Sequence, residues 1–385
     1  MRPETSLLRL CAAVSISADR RGRIQSLIQG PMDWELFMRL ALQHRVFSLA
    51  FKALSPHAAE SVPPAEWDRL RTHYFANLTK NLAARKELVQ VIDALRRYAV
   101  TAVPYKGPVL AEKTYGDIGL RHFNDLDVLV REEDLEQTVS VLQRLGYESE
   151  LPRRPSVINR YRRFLRDYAF RRPDSPCPLE IQWRLVQKYH PVFRDREAVW
   201  NRLRDAVLEE VTVRTLSPED ALLVLCLHGL YHSWEHLQMV SDVAESVTAG
   251  PLLDWPGLVD SARRQGGLRI LLLGLLLARD LLETALPPIV LEAAAADRFP
   301  AELAARISAS FFNGSAYLLQ ARSFFFLEAR MIAGLGNRVR YFGGRIFTPN
   351  EEDMGALTLP AGLFLLHPVW RAARLLKKYF FTSHQ

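Results

Sequence analysis

Two carboxylates one residue apart, Asp125 and Asp127, are the clearest candidates for chemistry in this sequence. They lie in the segment 124–130, where polar and apolar residues alternate before the chain becomes wholly apolar. Alternation with a period of two is typical of a strand and places both carboxylates on one face of it. Two carboxylates side by side repel each other unless a cation or a proton compensates them. The segment therefore predicts a strand that carries a cation-binding acidic pair.

A short strand and a glycine turn precede this acidic segment. The apolar run 101–105 ends at Lys106, Gly107 and Pro108, and the residues that follow predict one or two turns of helix. The predicted order is therefore a strand, a turn with glycine, a helix and the strand with the acidic pair. Because glycine has no side chain, the backbone of this turn can approach another group closely.

This order of elements resembles the polymerase-beta-type nucleotidyltransferase superfamily, in which a strand, a glycine turn and a helix lead to a D-x-D strand. The segment 105–130 is similar, more closely, to a bacterial group of uncharacterised nucleotidyltransferase-like proteins that often accompany polysaccharide gene clusters. That group shares the pattern K-G…L…Y…R…D-x-D-x-L-V. The matching residues are Lys106, Gly107, Leu110, Tyr115, Arg121, Asp125, Asp127, Leu129 and Val130.

The resemblance implies an α+β fold, in which a small mixed β-sheet is flanked by helical regions. We expect a nucleotidyltransferase-like α/β core over residues 99–215, an N-terminal helical region over 1–98 and a C-terminal helical domain over 216–385. Ser217 followed by Pro218 predicts the first helix of the C-terminal domain, because serine caps a helix and proline suits its first position.

The N-terminal region contains a long amphipathic pattern that begins at Ala65. Its apolar residues recur mostly every three or four positions, which predicts an inward-facing stripe along one helix. The stripe is predicted to contain Trp67, Leu70, Tyr74, Leu78, Leu82, Leu88 or Val89, Ile92 and Leu95. Lys80 and the other cations of this segment are interpreted as a solvated face. Asp33 is expected to cap an earlier helix.

Glu180 is a third candidate carboxylate. It stands between apolar neighbours in the segment 178–183, which predicts a central strand, and a buried carboxylate without a partner is costly. The superfamily places its third acidic residue on a later strand beside the D-x-D strand. The related group tends to read acidic-x-His-Trp here, and Gln182 departs from it where histidine is expected. The structural alternative for Glu180 is a salt bridge to a nearby arginine.

The resemblance implies a metal-dependent nucleotidyl transfer that uses these three carboxylates. Asp125, Asp127 and Glu180 would hold Mg²⁺, a hard cation that prefers carboxylate oxygens. Two such ions could stabilise both the entering and the leaving oxygen. Glu180 would also orient or deprotonate the hydroxyl of the acceptor.

The resemblance also implies a nucleotide-binding group around the glycine turn. Gly107 would allow the backbone to approach the triphosphate of an NTP, and Lys106 and Arg121 would supply cations to it. Many members of the superfamily have serine after this glycine, whereas this chain has Pro108. The substitution removes both a hydroxyl and an amide that could bind phosphate.

His228, His232 and Asp242 form a further candidate group in the C-terminal region. His228 and His232 are four residues apart on a predicted helix and share a face, which with a carboxylate could bind a transition metal. The alternative is that these polar residues are satisfied inside a helical bundle. The related group has an H…H-x-W…D pattern here, which implies that His232 and Asp242 are substrate-side residues.

Two basic segments suggest anionic partners. Arginines and aromatic residues alternate through 153–172, a composition that suits nucleic acid or nucleotide binding and equally a strand with two different faces. The segment 363–381 mixes cations with apolar residues, as does a helix that lies on a membrane surface. Such a helix can instead pack its apolar side on its own domain.

Composition sets the broad class. The chain has 385 residues, a formal charge of +7 and ordinary globular composition, so it can form two or three domains with real cores and can meet anionic partners. Its three cysteines are far apart, which predicts a reducing compartment without a disulfide framework. Charged residues interrupt both the N-terminal apolar run and the run 268–286, so we expect neither a targeting segment nor a transmembrane helix. A cytoplasmic location is therefore expected.

Three functions remain open at this level. The first is Mg²⁺-dependent transfer of an NMP from an NTP to a small molecule or protein hydroxyl, linked to surface polysaccharide production. The second is a non-catalytic nucleotidyltransferase-like scaffold or nucleotide sensor. The third is toxin-like nucleotidyl transfer to RNA, which the basic segment 153–172 would support.

Overall fold

The structure is a computed structural model of the chain. It describes residues 2–57, 61–149, 162, 164–248, 253–313, 327–349, 353 and 366–376. Residues 153–161 and 163 of the basic segment 153–172 lie outside the described residues, as do 363–365 and 377–381 of the segment 363–381.

Helices make up the N-terminal part of the described chain. They are α1 (Pro3–Cys11), α2 (Ala18–Ile28), α3 (Trp34–Gln43), α4 (Phe47–Leu54) and α5 (Pro64–Arg97), with a 3₁₀ turn at Ser55–His57. Asp33 caps α3, since its carboxylate accepts a hydrogen bond from the Leu36 amide at 2.9 Å. The expected cap is therefore confirmed.

A five-stranded mixed sheet lies between the helical parts, which confirms the α+β prediction. Its strands are β1 (Val103–Pro104), β2 (Leu126–Leu129), β3 (Glu148–Ser149), β4 (Asp167–Arg171) and β5 (Leu179–Gln182), in the spatial order β1-β2-β5-β4-β3. β2 and β5 are parallel neighbours, whereas the other pairs are antiparallel. The central position of β2 and β5 explains why both segments are rich in buried apolar residues.

Three helices and a hairpin complete the central part. α6 (Gly107–Tyr115) connects β1 to β2, and α7 (Leu135–Arg144) follows β2. After the short α8 (Arg196–Asn201), the strands β6 (Arg204–Leu208) and β7 (Val211–Thr215) form a separate antiparallel pair. The Thr215 hydroxyl donates a hydrogen bond to the Pro104 carbonyl at 2.7 Å and joins this hairpin to β1.

The C-terminal part is helical again. Its helices include α9 (Pro218–Tyr231), α10 (Leu237–Thr248), α11 (Trp255–Arg264), α12 (Leu268–Leu282), α13 (Pro288–Ala296), α14 (Arg298–Ser310), α15 (Leu335–Phe347) and α16 (His367–Leu376). The Ser217 hydroxyl accepts from the Asp220 amide and confirms the predicted cap of α9. Within the ranges described above, no helix is long and apolar enough to cross a membrane.

The inner side of α5 differs from the prediction in one respect. Leu82 was expected in the buried stripe but is 38% exposed, whereas Asn77 and Asn81 are buried. Their amides donate hydrogen bonds to carbonyl groups of the loop 118–121. Periodicity alone could not show that a polar loop, rather than an apolar element, covers this part of the helix.

Two groups of buried side chains form the core. One surrounds the five-stranded sheet and includes Val128 and Ile181. The other joins helices from both ends of the chain, since Leu8 of α1 and Leu272 of α12 belong to the same apolar cluster. The division into 1–98, 99–215 and 216–385 remains a prediction.

Candidate active site

The parallel strands β2 and β5 place Asp127 and Glu180 side by side. The two residues are direct partners in the register, so their side chains leave the sheet on the same face. Asp125 lies just before β2 and is half-buried. The sheet therefore brings together the three carboxylates that the sequence singled out, although their roles remain predictions.

Asp127 lies at the buried end of this group, with only 2% of its surface exposed. One carboxylate oxygen, Oδ1, is 2.9 Å from the Lys106 ammonium and accepts from the Gln182 amide at 2.9 Å. The other oxygen, Oδ2, is buried and has no hydrogen-bond partner within the described part of the chain. Burial raises the pKa of Asp127, and the charge of Lys106 opposes that rise.

Lys106 acts as the cation beside the acidic group. Burial works to lower the pKa of this lysine, but the charges of Asp127 and Asp125 outweigh burial, and the pKa is raised. The ammonium group therefore stays charged at neutral pH. The sequence singled out Lys106 as a phosphate contact, and the structure shows a direct ion pair with Asp127.

Glu180 has the electrostatics of a group that changes protonation near neutral pH. Burial, then the charges of Asp127 and Asp125, raise its pKa to about 7. Its oxygen Oε2 is 3.5 Å from the Gln182 amide nitrogen. Glu180 has no ion pair with an arginine in the part of the chain that the structure describes, which speaks against the salt-bridge alternative.

Gln182 was noted in the sequence only for departing from the expected histidine, and the structure gives it a part in the site. Its amide nitrogen lies between Asp127 and Glu180, and its amide oxygen accepts from the Tyr105 hydroxyl at 2.6 Å. Tyr105 thereby orients the amide so that its donor side faces the carboxylates. The available signal was spacing, because Gln182 is two residues after Glu180 and so shares its face.

Gly107 begins α6 directly beside the acidic group. Its φ of +49° lies in the left-handed region, and a Cβ at this position would come within 3.3 Å of the Asp125 carbonyl oxygen. Both observations favour glycine at this turn. The first turn of α6 therefore lies against the chain that carries Asp125, where its free amides favour an anion. Pro108 removes one of those amides.

Arg121 and Asp242 form a buried bidentate ion pair. The Arg121 guanidinium donates to both carboxylate oxygens of Asp242 at 2.8 and 2.9 Å, and the Tyr115 hydroxyl adds a bond at 2.6 Å. The third guanidinium nitrogen of Arg121, Nη1, is buried without a partner among the described residues. Both oxygens of Asp242 contact Arg121, so its substrate-side role stays a prediction.

The loop that precedes β2 is held by two helices, α5 and α10. Besides the asparagine amides of α5, Lys80 donates to the Phe123 carbonyl and to the Asn124 side chain. The Gln238 side chain on α10 accepts from the His122 amide and donates to the His122 carbonyl at 2.7 Å. The position of Asp125 therefore depends on helices from both ends of the chain.

His228 and His232 lie at the end of α9, with ring centroids 4.5 Å apart. Partial burial lowers the pKa of His232, and the Lys106 ammonium lowers it further, so the ring is neutral at pH 7. The charge of Asp125 acts in the opposite direction on the pKa of His232. A role for His232 towards the substrate stays a prediction.

The three carboxylates are possible ligands for a divalent metal ion. Among the described residues, no three His, Cys, Asp or Glu side chains are already arranged around one point as a metal site. The carboxylates of Asp125, Asp127 and Glu180 nevertheless supply only hard oxygen donors, which suit Mg²⁺. The unpartnered Asp127 Oδ2 is the oxygen that a cation could satisfy.

Comparison with known proteins identifies the class. A family model described as "uncharacterised nucleotidyltransferase" matches residues 30–283, about two thirds of the chain, and the protein belongs to that family. The membership supports nucleotidyl transfer as the type of reaction and an NTP as substrate. No curated protein and no solved structure matched the chain.

The buried pair of Arg121 and Asp242 leads to a prediction about stability. We expect Asp242→Asn to lower the free energy of unfolding by about 3 kcal/mol or more, because it leaves the buried Arg121 guanidinium without a counter-charge. Urea denaturation followed by circular dichroism measures this change. Asp205→Asn is the control, since Asp205 is 64% exposed and pairs with Arg214 at 3.4 Å, and it should cost less than about 1 kcal/mol. Equal effects of the two substitutions would contradict the prediction.

Proposed function

We propose that this protein transfers an NMP from an NTP to an acceptor hydroxyl, with Mg²⁺ as cofactor. The carrying observation is the register between Asp127 and Glu180 on parallel strands, together with the buried oxygen Asp127 Oδ2, which has no hydrogen-bond partner among the described residues. Family membership supports the reaction class. Mg²⁺, the acceptor and the roles of single residues are the parts that are proposed.

Asp125 and Asp127 are proposed as the metal ligands, with Glu180 as a third. Two ions are proposed. When bound, Mg²⁺ would neutralise phosphate charge and stabilise the oxygens between which the phosphoryl group moves. The Asp127 oxygen that accepts from Lys106 and Gln182 is fixed in direction by both donors. The chain thus orients the second oxygen for a cation before any nucleotide binds.

Lys106, Gly107 and Arg121 are proposed to bind the triphosphate. Gly107 places the start of α6 beside Asp125, and one buried guanidinium nitrogen of Arg121 has no partner among the residues that the structure describes. Asp242 and Tyr115 orient Arg121, so they act as positioning residues in this proposal. The helix start supplies amides in place of the hydroxyl that Pro108 lacks.

Glu180 is proposed to accept the proton of the acceptor hydroxyl. A general base works best when its pKa lies near the working pH, and burial with the neighbouring carboxylates brings the pKa of Glu180 to about 7. His232 is proposed to contact the substrate on the same side. Gln182, which touches both carboxylates, holds Glu180 in place relative to Asp127.

The cellular setting is proposed on the resemblance to proteins of polysaccharide gene clusters: a cytoplasmic enzyme whose acceptor is a small molecule or a protein. Contact of the C-terminal helix with a membrane surface is also proposed. One observation favours the non-catalytic alternative, since Lys106 already neutralises Asp127 without a metal. Another favours RNA as acceptor, since Arg162, Arg184 and Arg196 gather around the single carboxylate of Glu132.

The metal site gives the first functional prediction. We expect Asp125→Ala and Asp127→Ala each to abolish Mg²⁺-dependent binding of a non-hydrolysable NTP, because each removes an oxygen ligand from the proposed metal site. Isothermal titration calorimetry with and without Mg²⁺ measures the binding. Asp205→Ala serves as control, since Asp205 lies on β6 and is largely exposed. Unchanged binding by both active-site variants would rule out the proposed metal site.

The protonation of Glu180 gives a second prediction. Its carboxyl group is neutral below about pH 7, so the rate of transfer should rise about tenfold per pH unit up to that value and then level off. Glu180→Gln should remove this dependence and lower the rate about 10²–10⁴-fold. The raised pKa also means that Glu180 favours folding at acid pH and loses this contribution as the pH rises through 7. A pH–rate profile that stays unchanged in Glu180→Gln would show that another group is the base.

A label-transfer screen separates the three candidate functions. Each NTP, labelled at the α-phosphate, is incubated with the protein, Mg²⁺ and an extract of cells. We expect label on a small molecule or protein with the native chain and none with Asp127→Ala. Label on RNA would support the toxin-like alternative. A complete lack of transfer, together with NTP binding, would support the nucleotide sensor.

A further inference from the structure

The helices α15 and α16 expose large apolar side chains, which we call the C-terminal apolar face. Its members, with their exposed fractions, are Leu335 (78%), Val339 (64%), Phe347 (54%), Leu366 (49%) and Val369 (62%). Single exposed apolar residues are common, but several on two packed helices mark a contact surface. Both helices follow the segment 30–283 that the family model matches.

Apolar side chains on one side of α15 face away from the body of the protein. Side chains two positions apart in a helix point in directions that differ by roughly 200°. Val339 therefore lies on the opposite side of α15 from Tyr341. Tyr341 is 1% exposed, and its hydroxyl donates to the buried Glu328 carboxylate at 2.7 Å. Leu335 and Val339, four residues apart, share the outer side. The inner side of α15 is therefore anchored by a polar contact.

α16 likewise exposes an apolar side chain and buries a charged one. Arg371 is buried and forms an ion pair with Asp353, and its guanidinium also donates to the Arg345 carbonyl on α15. Val369, two residues earlier, lies on the opposite side of α16 and is exposed. An amphipathic helix on a globular protein normally turns its apolar side inward. α16 does the reverse. α15 packs Tyr341 and Phe342 into an apolar cluster on its inner side but also exposes Leu335 and Val339 on the other. Both helices therefore present apolar side chains that suit a partner outside the chain.

The charge of this region indicates which kind of partner suits the C-terminal apolar face. Residues 327–385 contain eight arginines and lysines against four acids, a formal charge of +4 within the chain's +7. Arg340, next to Val339, is exposed. A second copy of the same cationic region would be repelled, which disfavours self-association through this face. An anionic partner with an apolar interior matches both properties, and a membrane with anionic lipids has both.

We propose that the C-terminal apolar face docks this protein on the surface of a bilayer that contains anionic phospholipids. Leu335, Val339 and Val369 insert at the level of the headgroups, and Arg340 contacts lipid phosphate. At 13 and 10 residues, α15 and α16 are too short to span a bilayer, which takes roughly 20, so they lie along its surface.

Flotation of the full chain with vesicles tests the proposal. We expect binding to vesicles of phosphatidylcholine with phosphatidylglycerol and little binding to phosphatidylcholine alone. The double variant Val339→Gln, Val369→Gln should bind the anionic vesicles about tenfold more weakly, because it removes the inserted apolar surface. Arg340→Gln should bind the anionic vesicles several-fold more weakly than the native chain. Added salt should reduce this difference in affinity, because it screens the charge of Arg340.

Val207→Gln is the matched control, because Val207 is 68% exposed on β6, away from the C-terminal apolar face. It should bind vesicles as the native chain does. The proposal is overturned if the native chain does not float, or if the double valine variant floats equally well. It is also overturned if a single-stranded RNA binds in place of vesicles and depends on Arg340. Self-association that the double variant abolishes, seen by sedimentation velocity without vesicle binding, would overturn it in favour of a second copy.

Discussion

A carboxylate buried in the middle of a sheet is the constraint on which the site of this protein depends. Removing the charge of Asp127 from water costs several kcal/mol unless donors compensate it. Lys106 and Gln182 both donate to one oxygen, and Tyr105 fixes the direction of Gln182. This compensation is incomplete, since the second oxygen has no partner in the described structure. In the proposed site, this second oxygen is the one that a Mg²⁺ ion would compensate.

The other parts of the site are positioned around this centre by long-range contacts. The buried pair between Arg121 and Asp242 ties the loop before β2 to α10, while Asn77 and Asn81 tie it to α5. All these residues lie within 30–283, the segment that the family model matches. The family thus shares the region that builds the site, and the C-terminal apolar face lies beyond that region.

The candidate site and the helices α15 and α16 differ in which groups are exposed to water. At the site, charged groups are buried, and partners from distant elements compensate them in part, as Lys106 does for Asp127. At α15 and α16, polar pairs such as Tyr341 with Glu328 are buried while valines and leucines face outward. The same free-energy terms act in both places, since a buried charge needs a partner and an exposed apolar side chain favours removal from water.

The sequence by itself determined the local elements and the carboxylates that they carry. The alternation around Asp127 and around Glu180 predicted two strands, because side chains in a strand alternate between faces. The order of motifs, through the resemblance, predicted the α+β fold and the family. Tertiary structure decided the pairing: Lys106 with Asp127, Gln182 with both acids, and Arg121 with Asp242 across 121 residues. Local periodicity reports which face a side chain lies on, whereas the group that meets that face depends on how distant segments pack.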